Sequence, residues 1–391
     1  MNVPLLDLRA QHETIKDRVK PVIDEIFETQ RFVLGAHGAA LEEEIAGYCG
    51  VPYAIGVASG TDALLLAMKA LGVGQGDAVI TTPFTFFATA GAIVNLGARP
   101  IFVDIEAAGF EMDPEALSSF LEKECECRPA ARATVHKASN LIIKAILPVH
   151  LYGQCADMDE ISAIADRFNL PVVEDACQAI GASYKGKKAG ALGTLGCFSF
   201  FPSKNLGGAG DGGMVITADK DLADRVRLLR GHGAHHRYYH DIVGFNSRLD
   251  ELQAAVLRIK LPCLDGWSKK RIEHAEKYAE AFRSAGLLDN VTPPAILPGR
   301  SHIFHQYVIR AKERDRLQVF LKEAGVGCEV YYPVSLHEQA CFKHLGYAPE
   351  DLPRSSEATR EVLALPVYPE LTEEQRGYVV DRIVAFYGTS D

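Results

Sequence analysis

The strongest constraint on this chain is a rhythm. Short apolar runs alternate with helical patterns from residue 53 to residue 231. YAIGVAS (53–59) predicts a strand, TDALLLAMKALG (61–72) a helix and AVITT (78–82) a strand. FATAGAIVNLG (87–97) predicts a helix, RPIFVDI (99–105) and LIIKAILPVH (141–150) strands, MDEISAIADRFN (158–169) a helix and LPVVEDA (170–176) a strand. GTLGCFSF (193–200) and MVITAD (214–219) add two strands before a helix at 220–231. Continuously apolar strands that alternate with helices need cover on both faces, so the expected fold is α/β with a mostly parallel sheet.

The flanking sequence reads differently. Residues 10–30 predict an amphipathic helix, and RFVLGAHGAALEEEIAGYCG a loop followed by a second helix. From 249 to 285 a long helical pattern runs through Pro262, which should kink or break it. Strands are expected at 303–311 and 326–332, and helices at 314–324 and 372–387. These patterns divide the chain into a large α/β domain (1–250) and a linking helix with a smaller α+β domain (251–391). Residues 122–139, which contain KECECRPAARATVHKAS, are expected as a surface insertion between helix and strand.

Composition narrows the function. The net charge of -10 opposes a nucleic-acid partner, which favours a basic face. No apolar run reaches membrane-helix length, and MNVPLLDLRAQHETIKDRVK lacks a signal-peptide core. Nine scattered cysteines suit a reducing compartment, so a cytoplasmic protein is expected. HGAHHRYYH (232–240) is rich in histidine, but its glycines and tyrosines predict a loop suited to an anionic or polyhydroxylated ligand, and no metal is expected. GASYKGKK (181–188) has Lys188 where a phosphate loop needs Ser or Thr, and it predicts a hairpin turn.

Four stretches carry possible chemistry. In SGTDALLLAM, Ser59, Gly60 and Thr61 open a helix; its free N–H groups offer a phosphate site, but ordinary N-capping explains the same residues without any ligand. In VVEDACQA, Asp175 ends a strand at the edge where open α/β sheets bind ligands; period-two alternation sends Glu174 the other way, and an ordinary turn role fits Asp175 too. TTPFTFFATA offers Phe84, Phe86 and Phe87 as core or as a platform for a flat ring. In FSFFPSKNLGGAGDGG, Lys204 follows Phe198, Phe200, Phe201 and Pro202; it either snorkels to water or loses its proton and becomes a nucleophilic amine.

The ordered blocks SGTDAL, TTPFTFFAT, PVHLYGQ, VVEDACQAIGA, FSFFPSKNLG, GDGG, GFNSRLDELQAA, FHQYVI and YYPVSLH resemble the DegT/DnrJ/EryC/StrS family over nearly the whole chain. These are pyridoxal-phosphate (PLP) aminotransferases of fold type I, with an aspartate-aminotransferase-like architecture. The resemblance implies that Lys204 forms the Schiff base with PLP, Asp175 pairs with the pyridine nitrogen, Phe86 stacks on the ring and Gln178 lies against the ring or its 3-hydroxyl. Gly60, Thr61 and Ser199 would hold the phosphate, and Asn246 would reach it from the second subunit of a homodimer with shared active sites. Tyr332, His337, His305 and Tyr238 in the 232–240 loop are the implied contacts to a nucleotide-linked keto sugar. Glutamate would be the amino donor. Two alternatives stand beside this. A PLP-dependent sugar dehydratase carries histidine where Lys204 stands here, and a regulatory homologue would bind sugar nucleotide without turnover.

Overall fold

The computed structural model of this chain describes residues 1–128 and 133–388. Helices α1 (Leu8–Glu13), α2 (Lys16–Thr29) and α3 (Ala36–Cys49) open it. The single helix expected over 10–30 is two. Thr14 turns back, its N–H and hydroxyl both donating to the Gln11 carbonyl, and Ile15 leaves the helical region at φ -129°.

The alternation then follows as β1 (Tyr53–Val57), α4 (Gly60–Ala70), β2 (Asp77–Thr81), α5 (Ala88–Asn95) and β3 (Arg99–Phe102). An unanticipated α6 (Pro114–Glu124) comes next. The Asp113 side chain accepts the Glu115 N–H, and Pro114 occupies the first turn, where its missing N–H costs nothing. β4 (Cys125–Arg128) and β5 (Ala133–His136) pair antiparallel and extend the sheet beside β6 (Ile142–Ile146). The expected insertion is thus a sheet-edge hairpin, with 129–132 outside the described residues. Then come α7 (Met158–Arg167), β7 (Val173–Asp175) and the hairpin β8 (Ser183–Tyr184) and β9 (Lys187–Lys188). β10 (Leu195–Ser199), β11 (Gly213–Thr217), α8 (Lys220–Arg230) and the small hairpin β12 (Ala234–His236) and β13 (Tyr239–His240) complete this part.

The sheets are mixed. One runs β3-β2-β6-β5-β4 and the other β1-β11-β10-β7. Parallel bridges Ile146–Val172 and Val149–Asp175 join them between β6 and β7. Pairs β2–β3, β2–β6 and β7–β10 are parallel, whereas β11 lies antiparallel to both β1 and β10. Every residue of β2 and β11 is buried. Leu64, Leu66, Ile93 and Val226 cover Ile55, Val79 and Val215 on one face. Leu41, Ile45, Leu117, Ile161 and Leu264 cover Ile80 and Ile143 on the other. Each such side chain contributes about 1.5–3 kcal/mol by leaving water.

Downstream, α9 (Glu251–Lys260) and α10 (Leu264–Ser284) are separated by a single tight turn at Leu261–Cys263, so Pro262 interrupts the helix as expected. β14 (Val291–Thr292), β15 (Tyr307–Ala311), α11 (Arg314–Glu323), α12 (Pro353–Glu361), β16 (Val362–Leu365) and α13 (Glu373–Gly388) follow. The strand expected at 326–332 does not form. β16 occupies the ladder position beside β15, leaving Val326 and Glu329 isolated bridges to Val3 and Ala364. A second core gathers Tyr278, Phe282, Tyr307, Ile309 and Ile383, and it draws in Phe84 and Tyr152 from the α/β part. Val3, fully buried, donates its N–H to the Gly325 carbonyl at 2.9 Å and accepts the Gly327 N–H at 2.8 Å. Among the described residues no helix is long and apolar enough to cross a membrane.

Candidate active site

Sheet register brings distant segments together. Val57 pairs with Gly213, Gly213 with Ser199, and Cys197 with Asp175. Strands β1, β7 and β10 run the same way, so residues 59–61, 175–178 and 199–204 emerge at one sheet edge. This is the edge where open α/β sheets bind ligands.

The Ser59 hydroxyl accepts the Asp62 N–H at 3.1 Å and caps α4. The N–H groups of Gly60 and Thr61 have no hydrogen-bond partner among the described residues. A Cβ at position 60 would lie 2.6 Å from Ser199 Cβ and 3.1 Å from Cys177 Sγ. Only glycine lets this helix start approach β10 so closely. The result is a positive helix end with free donors and a hydroxyl beside it, an arrangement that attracts an anion.

Asp175 is buried, and Oδ2 accepts from the Thr89 hydroxyl at 2.7 Å while Oδ1 accepts the Cys177 N–H at 3.2 Å. Thr85 and Thr89 hydroxyls lie 3.0 Å apart. Glu174 points to the opposite face, as strand alternation requires. It accepts the N–H groups of Gly190, Leu192 and Gly193 at 2.7, 2.7 and 2.5 Å. His150 Nε2 stands 2.8 Å from the same carboxylate, and His150 Nδ1 accepts the Ala156 N–H at 3.1 Å, so Nε2 carries the proton and donates. One carboxylate therefore serves the cleft and its neighbour clamps the loop behind it.

Lys204 follows the end of β10, its N–H bonded to the Phe201 carbonyl at 2.8 Å. Burial lowers the pKa of its amine from the ordinary lysine value, opposed by Cys177 and Asp175. Burial raises the Cys177 thiol well above its usual range, which keeps it protonated and inert. Asn205 Oδ1 lies 3.2 Å from His305 Nδ1. Burial, with Lys204 and Arg271 nearby, holds His305 well below the usual histidine range. His305 is therefore neutral and close to the amine.

Gln178 links both halves of the cleft. Its Oε1 accepts the Tyr152 N–H at 2.8 Å and its Nε2 donates to the Tyr332 hydroxyl at 3.0 Å. The Tyr332 ring lies 6.4 Å from that of Phe86, which is 56% exposed, and 6.1 Å from the fully buried Phe84. Phe87 stacks on Phe342 instead.

Three expected site residues stand apart from this cluster. His337 is buried with Nδ1 3.0 Å from the Ser335 hydroxyl. Tyr238 is 78% exposed on the β12–β13 hairpin. Asn246 is exposed, although the Ser247 hydroxyl beside it accepts the Ala58 N–H at 3.2 Å. Thr85, Thr89, Asn205, Tyr152 and the His150–Glu174 pair were missed. The i, i+4 spacing of the two threonines is a usable signal for Thr85 and Thr89; the other contacts are set by tertiary approach.

A family model for the DegT/DnrJ/EryC1/StrS aminotransferase family matches residues 13–384. The chain is 50% identical to a "Pleiotropic regulatory protein" of Geobacillus stearothermophilus, over 99% of each chain. It is 43% identical to a UDP-N-acetyl-3-dehydro-alpha-D-glucosamine 3-aminotransferase of Acidithiobacillus ferrooxidans, over 95% of each. Among solved structures, Streptomyces venezuelae DesV superposes with a TM-score of 0.92 at 37% identity over 100% of both chains. Bacillus subtilis NtdA with bound cofactor PMP gives a TM-score of 0.84 at 29% identity, covering 99% of this chain and 86% of that one.

Proposed function

The chain belongs to the DegT/DnrJ/EryC1/StrS aminotransferase family, and from that premise we propose that it moves an amino group from glutamate to a keto sugar carried on UDP or dTDP, in the cytoplasm. The observation that carries this reading is the convergence of a partly buried amine (Lys204), a fixed carboxylate (Asp175) and a donor-rich helix start (Gly60, Thr61) at one sheet edge.

These residues fit pyridoxal phosphate. The close approach of the helix start to Ser199 that Gly60 permits, the N–H groups of Gly60 and Thr61 left without a partner among the described residues, and the Ser199 hydroxyl suit its phosphate. When bound, the cofactor supplies a carbonyl that takes up the amino group and a ring that draws electrons from the donor carbon.

The protein's own groups do the rest. Asp175, positioned by Thr89, accepts a hydrogen bond from a protonated ring nitrogen and keeps that proton in place. Lys204 would hold the cofactor through its carbonyl; released by the incoming donor amine, it would carry the donor α-carbon proton to the carbon that had borne that carbonyl, and the reverse transfer would serve the keto sugar, a role its lowered pKa favours. Phe86 covers the ring, and Gln178 fixes Tyr332 over the sugar side of the cleft. Tyr332 faces the nucleotide sugar, His305 stands behind it beside Asn205, and a second subunit supplies Asn246. His337 and Tyr238 serve only if closure or that subunit brings them near.

The test is borohydride reduction of cofactor-loaded protein followed by peptide mapping. A pyridoxyl tag on Lys204, with ping-pong amination of keto-sugar nucleotides by glutamate, supports the proposal. An untagged Lys204 peptide sinks it. The regulatory reading is favoured by the 50% identity to the Geobacillus stearothermophilus regulatory protein; it predicts ligand binding without turnover, and the same assay separates the two.

A further inference from the structure

Four arginines are buried among the described residues: Arg271, Arg300, Arg314 and Arg376. Arg300 has Glu106 at 2.9 Å, Asp157 at 3.2 Å and Glu111 at 3.5 Å. Arg314 has Asp315 at 2.7 Å, and Arg376 has Glu373 at 3.9 Å. Arg271, on α10, has no carboxylate within 4.0 Å among the described residues. Its Nη1 donates to the carbonyls of Val367, Phe304 and His305 at 2.7, 3.2 and 3.4 Å, while Nε and Nη2 have no protein partner among the described residues. Burial lowers its pKa to about 10, with Glu370 acting in the other direction, so the guanidinium is charged at neutral pH. An unpaired buried cation is costly to keep. Here a collar of carbonyls fixes one edge of the guanidinium and leaves the other free. Such a fork matches a carboxylate in two parallel hydrogen bonds.

Arg271 lines a cavity with Ser203, His305, Gln306, Tyr331 and Leu365. Ser203 directly precedes Lys204, and His305, which feels the Lys204 charge, is bonded to Asn205 directly after it, so the cavity lies beside the segment that carries the amine. Gln306 Oε1, on a residue of the same wall, is buried without a hydrogen-bond partner. The volume is about 60 Å³. At ~10–15 Å³ per water-sized group, this holds roughly four to six such groups. That suits the carboxylate end of an amino acid and excludes a nucleotide.

We propose that Arg271 is the carboxylate anchor of the amino donor, in a subsite separate from that of the nucleotide sugar. This rests on the amino-transfer reading above. A donor anchored there presents its amino group toward Lys204, and the keto sugar never uses the same cation.

The test measures binding of glutarate, a dicarboxylate that cannot be transaminated, to cofactor-loaded protein by calorimetry. Steady-state KM values for glutamate and for the keto sugar are measured beside it. Arg271→Lys should weaken glutarate about tenfold or more, the loss expected of a hydrogen bond to a charged group, and raise the glutamate KM by a similar factor. The keto-sugar KM should not move. Leu6→Trp, at a partly exposed wall of the same cavity, should act likewise and answers the question if Arg271→Lys fails to fold. A folded Arg271→Lys, or a cavity-filling Leu6→Trp, with wild-type glutarate affinity and glutamate KM overturns the anchor, as does a wild type that binds no glutarate. Arg271-dependent glutarate binding in a protein that aminates no keto sugar sinks the preceding functional reading and leaves the anchor standing.

Discussion

Thr89 holds Asp175: the threonine hydroxyl donates to the aspartate Oδ2 at 2.7 Å from the first turn of α5. Thr89 lies on a helix and Asp175 ends strand β7, and their contact fixes the direction in which the carboxylate faces the cleft. Thr89→Val should cost about 1.5–3 kcal/mol of that positioning, hence roughly ten- to hundredfold in kcat/KM. Thr89→Ser should restore most of it. Steady-state kinetics on both variants check the assignment; a Thr89→Val enzyme with wild-type kcat/KM refutes it.

Gly60→Ala tests the cradle. The added methyl would press on Ser199 Cβ at 2.6 Å. Overpacking of this kind costs about 1–3 kcal/mol, so cofactor affinity should fall about tenfold. Absorbance titration with pyridoxal phosphate reads the change directly, and unchanged affinity would remove the helix start from the phosphate site.

Glu174→Ala should unfold more readily than any variant in the cleft itself. It leaves three loop N–H groups and His150 without their acceptor, at an expected cost of about 3–5 kcal/mol. Glu174→Gln, which keeps one acceptor oxygen, should lose less. Urea denaturation ranks the two; equal stability of Glu174→Ala and wild type would contradict the clamp.

Acid stability should depend on His302. Burial lowers its pKa to about 3, against an unfolded value of 6.5. The unfolded chain therefore binds the extra proton first, and this contribution, complete above pH 6.5, is lost as the pH falls toward 3. By pH 5 the loss amounts to about 2 kcal/mol. His302→Phe should sacrifice the acceptor for the Phe304 N–H, yet show a shallower decline between pH 6.5 and 5. Melting curves across that range decide, and an equally steep decline would refute the assignment.

What the sequence disclosed follows from what is local. Period-two alternation separated Asp175 from Glu174, and Pro262 marked the helix break. The decoy GASYKGKK forms the expected hairpin. Non-local competition was not legible. Residues 326–332 have strand-like composition, but β16 pairs with β15 first, and nothing near position 326 announces that rival. Thr89 gives no sign of its partner 86 residues away. Arg271 looks like an ordinary helix-surface cation, because the carbonyls that collar it come from two other segments.

The seam where Val3 meets residues 325–327 bears on how the polypeptide is made. A nascent chain leaves the ribosome in sequence order, so Val3 has no partner at this seam until residues 325–327 have been translated. The α/β layers can condense beforehand, while the opening residues wait uncovered. Closing the seam is thus a late, long-range event, because the whole of the α/β layers lies between its two sides.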